Sequence, residues 1–306
     1  MLAVVGASVG ATAFFALSTA LKHRSARTTP DASGLEPRRL KRFIHATARH
    51  PLYLGGLVAD VVGLSLQVYA LHIGALSVVQ PLLTTALLFS LVLAHRVAGT
   101  RISGREFAWG AALVVALVGF MVTSGTVQTS THAAAQAADR VPAVLAGILA
   151  VALAATCVLT SRRLPSGGAA ALMGVAVGTA YACTAALIKS CTNIVAAGPV
   201  ALLTSWQPYL LVVAGAIGLL LAQLAFQSGP LTASLPAIAT VDPLLSVAIG
   251  VWVYDERLNR GPWSVGAEVG SLVLMSLAAV MLSRVQAVTE DHSRRPALHH
   301  YSSPAS

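Results

Sequence analysis

Charge is scarce in this chain. Asp, Glu, Lys and Arg make up 10% of its 306 residues, against 56% hydrophobic, and the mean hydropathy is +0.76. Soluble domains carry about a quarter of their residues charged, so an ordinary soluble domain is excluded. Cysteine is also rare: Cys157, Cys183 and Cys191 lie in or beside apolar runs with no metal-ligand spacing, and read as small buried apolar residues. There is no HExxH, and Asp60 and Asp242 lack the glycine-framed setting of an intramembrane aspartyl dyad. The chain does not read as an enzyme, and no cofactor is expected. No basic residue precedes the first apolar run, so that run reads as a retained span although Ser18-Thr19-Ala20 resembles a cleavage site.

What the sequence has in quantity is apolar runs of about 20 residues, the length that crosses roughly 30 Å of hydrocarbon. Nine are expected, near 2–22, 52–73, 75–95, 107–125, 142–161, 169–190, 205–227, 231–253 and 263–283. The fold class is therefore an all-α polytopic membrane protein. Its net charge of +9 suggests nucleic acid only until the charges are placed. All but Arg140, Lys189, Arg257 and Arg260 of the 20 basic residues fall in loops that share one side if the N-terminus is outside and the C-terminus inside. That is the positive-inside rule, and no nucleic-acid partner is expected. The basic stretch 23–50 carries Leu40, Phe43 and Ile44 at helical spacing among Arg38, Arg39, Lys41 and Arg42. It reads either as a helix lying on the anionic inner leaflet or as a solvated loop.

One hairpin is written twice. Ala70-Leu71-His72-Ile73-Gly74-Ala75-Leu76-Ser77-Val78-Val79-Gln80-Pro81 matches Ala225-Phe226-Gln227-Ser228-Gly229-Pro230-Leu231-Thr232-Ala233-Ser234-Leu235-Pro236. The match extends from Arg101-Ile102-Ser103 to Arg257-Leu258-Asn259, and from Gly6-Ala7-Ser8-Val9-Gly10 to Gly174-Val175-Ala176-Val177-Gly178. Spans one to four thus map onto six to nine, and the odd fifth span inverts the second copy, an arrangement of secondary transporters. The expected organisation is a first repeat over 1–125, an external loop and linking span over 126–163, an inverted repeat over 164–284 and a disordered tail over 285–306. Residues 6–10 also spell GxSxG, but that nucleophile elbow needs a strand-to-helix turn, and Ala176 replaces Ser8 in the second copy. Close helix packing through small residues is the better reading.

Asp60 and Asp242 fall well inside spans. Asp242 is roughly 16–17 Å deep at about 1.5 Å per residue. A carboxylate there costs at least about 2.5 kcal/mol and must face protein or a wet cavity. Asp60, Gly63 and Gln67 share a helical face, as do Ser77, Gln80 and Thr84. Pro81, Pro236 and Pro243 are expected kinks, freeing the carbonyls of Ser77, Thr232 and Ala239. Gln223 and Gln227 add a polar face to the seventh span. Asp60, Gln67, Ser77, Gln80, Thr84, Gln223, Gln227, Ala239 and Asp242 are the candidate substrate or ion site, with Asp60 and Asp242 as candidate metal ligands. Lys189 is expected to snorkel to the surface, and Glu268 to pair with Arg257 or Arg260.

Tyr53 to Pro81, with Gly56-Leu57, Gly63, Tyr69-Ala70, Ser77 and Pro81-Leu82, resembles the NIPA-type magnesium transporters of the drug/metabolite transporter superfamily. Asp255-Glu256-Arg257-Leu258, followed by a Gly-rich helix, resembles the end of the EamA-type repeat of that superfamily. The resemblance covers nearly all nine spans and implies a carrier built from inverted repeats. One position departs from the NIPA pattern: Leu64 follows Gly63 where that pattern has an acid, which stands instead at Asp60, and its Asn is Gln67. The expected function is alternating-access transport of a small metabolite or a cation. Magnesium transport is the alternative, and a non-transporting scaffold or lipid-binding protein the alternative of another class. The expected location is a bacterial cytoplasmic membrane, with a homodimer left open.

Overall fold

Runs of Ala, Leu and Val with few internal breakers leave the backbone one way to satisfy its polar groups in lipid, the helix. The computed structural model describes residues 2–28, 51–98, 102–123, 140–195, 198–229, 231–256 and 262–299, and the elements among them are all helices. They are α1 (Leu2–Thr28), α2 (Pro51–Ile73), α3 (Leu76–Leu83), α4 (Ala86–Ala98), α5 (Gly104–Thr123) and α6 (Arg140–Ser161). Then come α7 (Ser166–Val195), α8 (Pro199–Thr204), α9 (Gln207–Ser228), α10 (Leu231–Val253) and α11 (Pro262–His299). Eight stretches are long and apolar enough to cross a membrane, with Leu76–Leu93 spanning α3 and most of α4. This is the make-up of a polytopic helical membrane protein. In α9 the described apolar part, Gln207–Ala222, is shorter.

Several boundaries differ from expectation. No Gly or Pro falls between Ala11 and Thr29, so α1 runs on to Thr28, into the stretch expected to be a loop. The amphipathic segment around Leu40 to Ile44 lies outside the described residues. No Gly or Pro separates Ser271 from Arg295, and α11 accordingly reaches His299, where the sequence suggests a disordered tail. Gly198, at φ 109, turns the chain into the unexpected short helix α8 with Pro199 in its first turn.

Packing repeats between the two halves. α1 lies against α2 as α7 lies against α9, and α1 touches α3 and α4 as α7 touches α10. Gly63 is pressed against Phe15, and Gly218 stands at the same place against Tyr181. Gly74 has Val4 against it, and Gly229 has Ser166 and Ala170. Each hairpin turn therefore sits on the first helix of its own half, with no space for a side chain. The halves join where α3 meets α10 and α5 meets α11. Their cores hold Leu71, Leu76, Val79 and Ile188 around one hairpin, and Leu91, Leu113, Met275 and Leu282 on the far side. α6 packs on α7 and leaves Val141, Val144, Ile148, Leu149, Val151 and Leu159 exposed, a face suited to lipid.

Candidate functional site

α3 is the most enclosed element, buried from Leu76 to Leu82. It contains three of the expected site residues, Ser77, Gln80 and, just past its end, Thr84, at 1%, 2% and 9% exposure. The helix ends at Leu83, two residues beyond Pro81. The amides of Thr84 and Thr85 turn back to the carbonyls of Pro81 and Leu82 at 3.2 and 3.1 Å, and their hydroxyls donate to the same two oxygens at 2.6 and 2.7 Å. The break is thus satisfied locally, as a helix interruption inside a membrane must be. Thr85 also meets Thr12 of α1, oxygen to oxygen, at 3.3 Å.

α10 crosses α3 and remains one helix through Pro236 and Pro243, both buried. Ser246 donates to Asp242 Oδ1 at 3.3 Å. A methyl group at Gly178 of α7 would come within 3.1 Å of the Asp242 amide nitrogen, so α7 and α10 touch backbone to backbone beside the acid. Every residue from Ala237 to Asp242 is half-buried, none fully covered and none exposed. A helix packed on one side alternates between covered and open faces; here partial exposure runs through six consecutive residues, with close contact on the α7 side at Gly174 and Gly178. Ala86 to Ser90, just after the α3 break, show the same uniform half-burial. Both stretches adjoin one cluster, through Leu87, Leu88 and Ala239.

Buried polar atoms without a hydrogen-bond partner among the described residues include Ser77 Oγ and Gln80 Nε2 on α3, Ser234 Oγ and Thr240 Oγ1 on α10, and Ser8 Oγ on α1. Each such group costs about 1–3 kcal/mol, and they are strung along the helices: Ser77 lies beside Gly250 near the end of α10, and Ser234 beside Gly174 near its start.

The remaining expected site residues do not all converge here. Asp60 and Gln67 are half-buried on α2, which packs on α1 and α7, while α10 packs on α7, α11 and α3. Among the described residues no three or more His, Cys, Asp or Glu gather in a way that could hold a metal ion. The side chains of Gln223 and Gln227 lie outside the described residues, as do Arg257 and Arg260, the expected partners of the buried Glu268.

Lys189 overturns its expectation: instead of snorkelling it is completely buried. Its Nζ donates to the carbonyls of Leu71, at 3.3 Å, and Gly74, at the end of α2. Glu256, 4% exposed, accepts from the amides of Leu76 and Ser77, at 2.6 and 2.8 Å, at the start of α3. Lys189 Nζ and Glu256 Oε1 stand 3.9 Å apart. The cation therefore meets the negative end of one helix and the carboxylate the positive end of the next, straddling the Gly74-Ala75 turn. Beside them Tyr254 donates to the Ala186 carbonyl at 2.5 Å and lies 2.7 Å from Ser190 Oγ. A lone lysine inside a span implies a buried partner, the signal by which this cluster was legible; snorkelling was the wrong resolution because the position is enclosed by two other helices.

A second polar cluster lies where α4 meets α5. Ser103 and Glu106 form a capping box: the Ser103 amide donates to Glu106 Oε2 at 2.7 Å and the Glu106 amide to Ser103 Oγ at 3.2 Å. His95 Nε2 lies 3.1 Å from Glu106 Oε1. This cluster fastens a helix start and holds no ligand group beyond that pair.

No protein-family model and no solved structure matches the chain. It is similar to an uncharacterized protein of Corynebacterium glutamicum, 28% identical over 282 residues that cover 91% of this chain and 94% of that protein.

Proposed function

We propose that this protein is a secondary carrier of the drug/metabolite transporter superfamily. In this reading nine spans form two inverted four-helix repeats, N-terminus out and C-terminus in, and a small polar metabolite or a cation crosses by alternating access. The observation that carries the reading is the half-buried middle of α10, where Asp242 stands on a proline-bearing helix opposite the break after α3. Transporter sites lie near the bilayer midplane at the interface of the repeats, on interrupted helices. Asp242 is an ionisable side chain of that region, with Thr240 on the same helix and Gln80 on α3 offering hydrogen bonds that no described residue meets. The cation Lys189 is already held by carbonyls and Glu256. Such a lining favours a cationic or neutral polar solute over an anion.

Magnesium is the second reading, favoured by a carboxylate one helical turn from Ala239, whose carbonyl Pro243 leaves without an amide partner, since Mg²⁺ takes one or two carboxylates and keeps much of its water. Purified wild type, Asp60→Asn and Asp242→Asn in proteoliposomes, loaded with a magnesium dye or a pH dye, would separate the readings. The carrier reading expects flux that depends on Asp242, either of Mg²⁺ down its gradient or of protons when a mixture of small organic amines is added outside. Folded protein that moves neither, under both regimes, would leave the scaffold reading.

A further inference from the structure

We propose that Lys189 and Glu256 form a latch that closes one end of the bundle and must part for the central space to open there. Both latch residues belong to the second half of the chain, on α7 and just past α10. What they grip belongs to the first half: the carbonyls of Leu71 and Gly74 and the amides of Leu76 and Ser77. The contact therefore crosses the boundary about which two halves would rock, whereas a bond that only stiffened one half would not need to.

Three further features suit a contact that is made and broken. The two charges are held chiefly by helix ends and only loosely by each other, at 3.9 Å; water can replace a helix-end contact once the turn is uncovered. Glu256 reaches back because Asp255 adopts φ 47, a left-handed turn that aspartate accepts more readily than most side chains. Gly250, against which the Glu256 carboxylate rests, has no room for a Cβ, which would also meet the Ser77 amide nitrogen at 3.1 Å. Finally, the carboxylate is not repeated in the sequence of the other half. In the repeat alignment Arg257 matches Arg101, so Glu256 falls on Thr100, and the hairpin at Gly229 is given no carboxylate at that position.

The latch rests on the carrier reading for its purpose, but its opening can be read without any transported solute. Cys183 lies half-buried on α7 within Coulombic range of Asp242, and reports on the central space. Cys157 is buried four residues from the end of α6, next to the start of α7 and so at the opposite end from Lys189, and reports general loosening. Each would be kept as the single cysteine in turn, in proteoliposomes of the full chain, and timed with a membrane-impermeant cationic methanethiosulfonate. Glu256→Gln and Lys189→Met are expected to speed labelling of Cys183 at least tenfold and leave Cys157 within twofold. Glu256→Asp, which keeps the charge but is too short to reach both amides, gives an intermediate rate and serves if the other variants do not fold. Unchanged Cys183 labelling in the folded variants, or equal acceleration at both cysteines, would overturn the latch. Fast Cys183 labelling in a protein that moves no solute would sink the carrier reading and leave the latch standing; retained flux without acceleration would do the reverse.

Discussion

Removing the Glu256 carboxylate strands the Leu76 and Ser77 amides and leaves the buried Lys189 ammonium with carbonyls but no counter-charge. Breaking a buried pair from one side costs about 3–5 kcal/mol, so Glu256→Ala should lower the thermal midpoint in detergent far more than substitutions at polar contacts between hydroxyls. Thr12→Val, which removes the 3.3 Å contact to Thr85, is the comparison: interhelical hydrogen bonds in membranes average about 0.6 kcal/mol. Equal midpoints for the two variants would mean that the carboxylate is not holding the helix start. Asp242 should behave in the opposite way. Its hydrogen bond from Ser246 is long, at 3.3 Å, and an amide is less costly than a carboxylate in a low-dielectric interior. Asp242→Asn is therefore expected to leave the midpoint unchanged or higher while abolishing flux, and a lowered midpoint would identify the acid as a structural group. Asp60 and Asp242 could be singled out from sequence because an acid within an apolar run is conspicuous. Which acid lies on the helix that crosses α3 could not, since that depends on helices distant in the chain.

The glycines divide by neighbour. On α7, a Cβ at Gly174 would meet the Ser234 carbonyl at 2.6 Å, and one at Gly178 the Val241 Cβ at 2.9 Å, while Gly6 of α1 has nothing within 4 Å. Gly174→Val should separate α7 from α10 and destabilise by about 1–3 kcal/mol. Gly6→Ala should be neutral or stabilising by up to about 1 kcal/mol, from helix propensity alone. The pair, measured by thermal unfolding, tests which of these two matched glycines is needed for close approach. The matched sequences around Gly6 and Gly174 suggest packing at both; the structure shows it at Gly174 and Gly178, and in the first copy at Gly10, where a Cβ would stand 3.3 Å from Leu66, but not at Gly6. Helices themselves were easy to find, because a run of twenty apolar residues admits little else. Their ends were not: α1 and α11 extend beyond the apolar stretch through polar residues that favour helix, and the stop after α3 falls at Thr84 rather than at Pro81. There the threonine hydroxyls compete for the carbonyls that would continue the ladder, a local rivalry that hydropathy does not register.

The orientation of the whole chain can be tested by reporter fusions. Alkaline phosphatase, active only outside, should be active when fused within 126–139 and inactive after Arg163; the reverse pattern would overturn the N-out arrangement proposed from the basic loops. The repeat was legible because the two hairpins share a pattern, whereas the asymmetry between them was not, because Glu256 and Lys189 act on a turn more than 100 residues away.

α6 makes its packing contacts along one side and turns large aliphatic side chains outward everywhere else. Such a helix is specified by its thickness in the bilayer more than by its shape. Most of its outward positions should accept any aliphatic residue, as those of α3 should not, so a library of chains randomised along each helix would show the fifth span as the permissive one. A segment free to drift in sequence is also one that could have been acquired as a plain hydrophobic spacer, setting the parity of crossings for whatever was duplicated on either side of it.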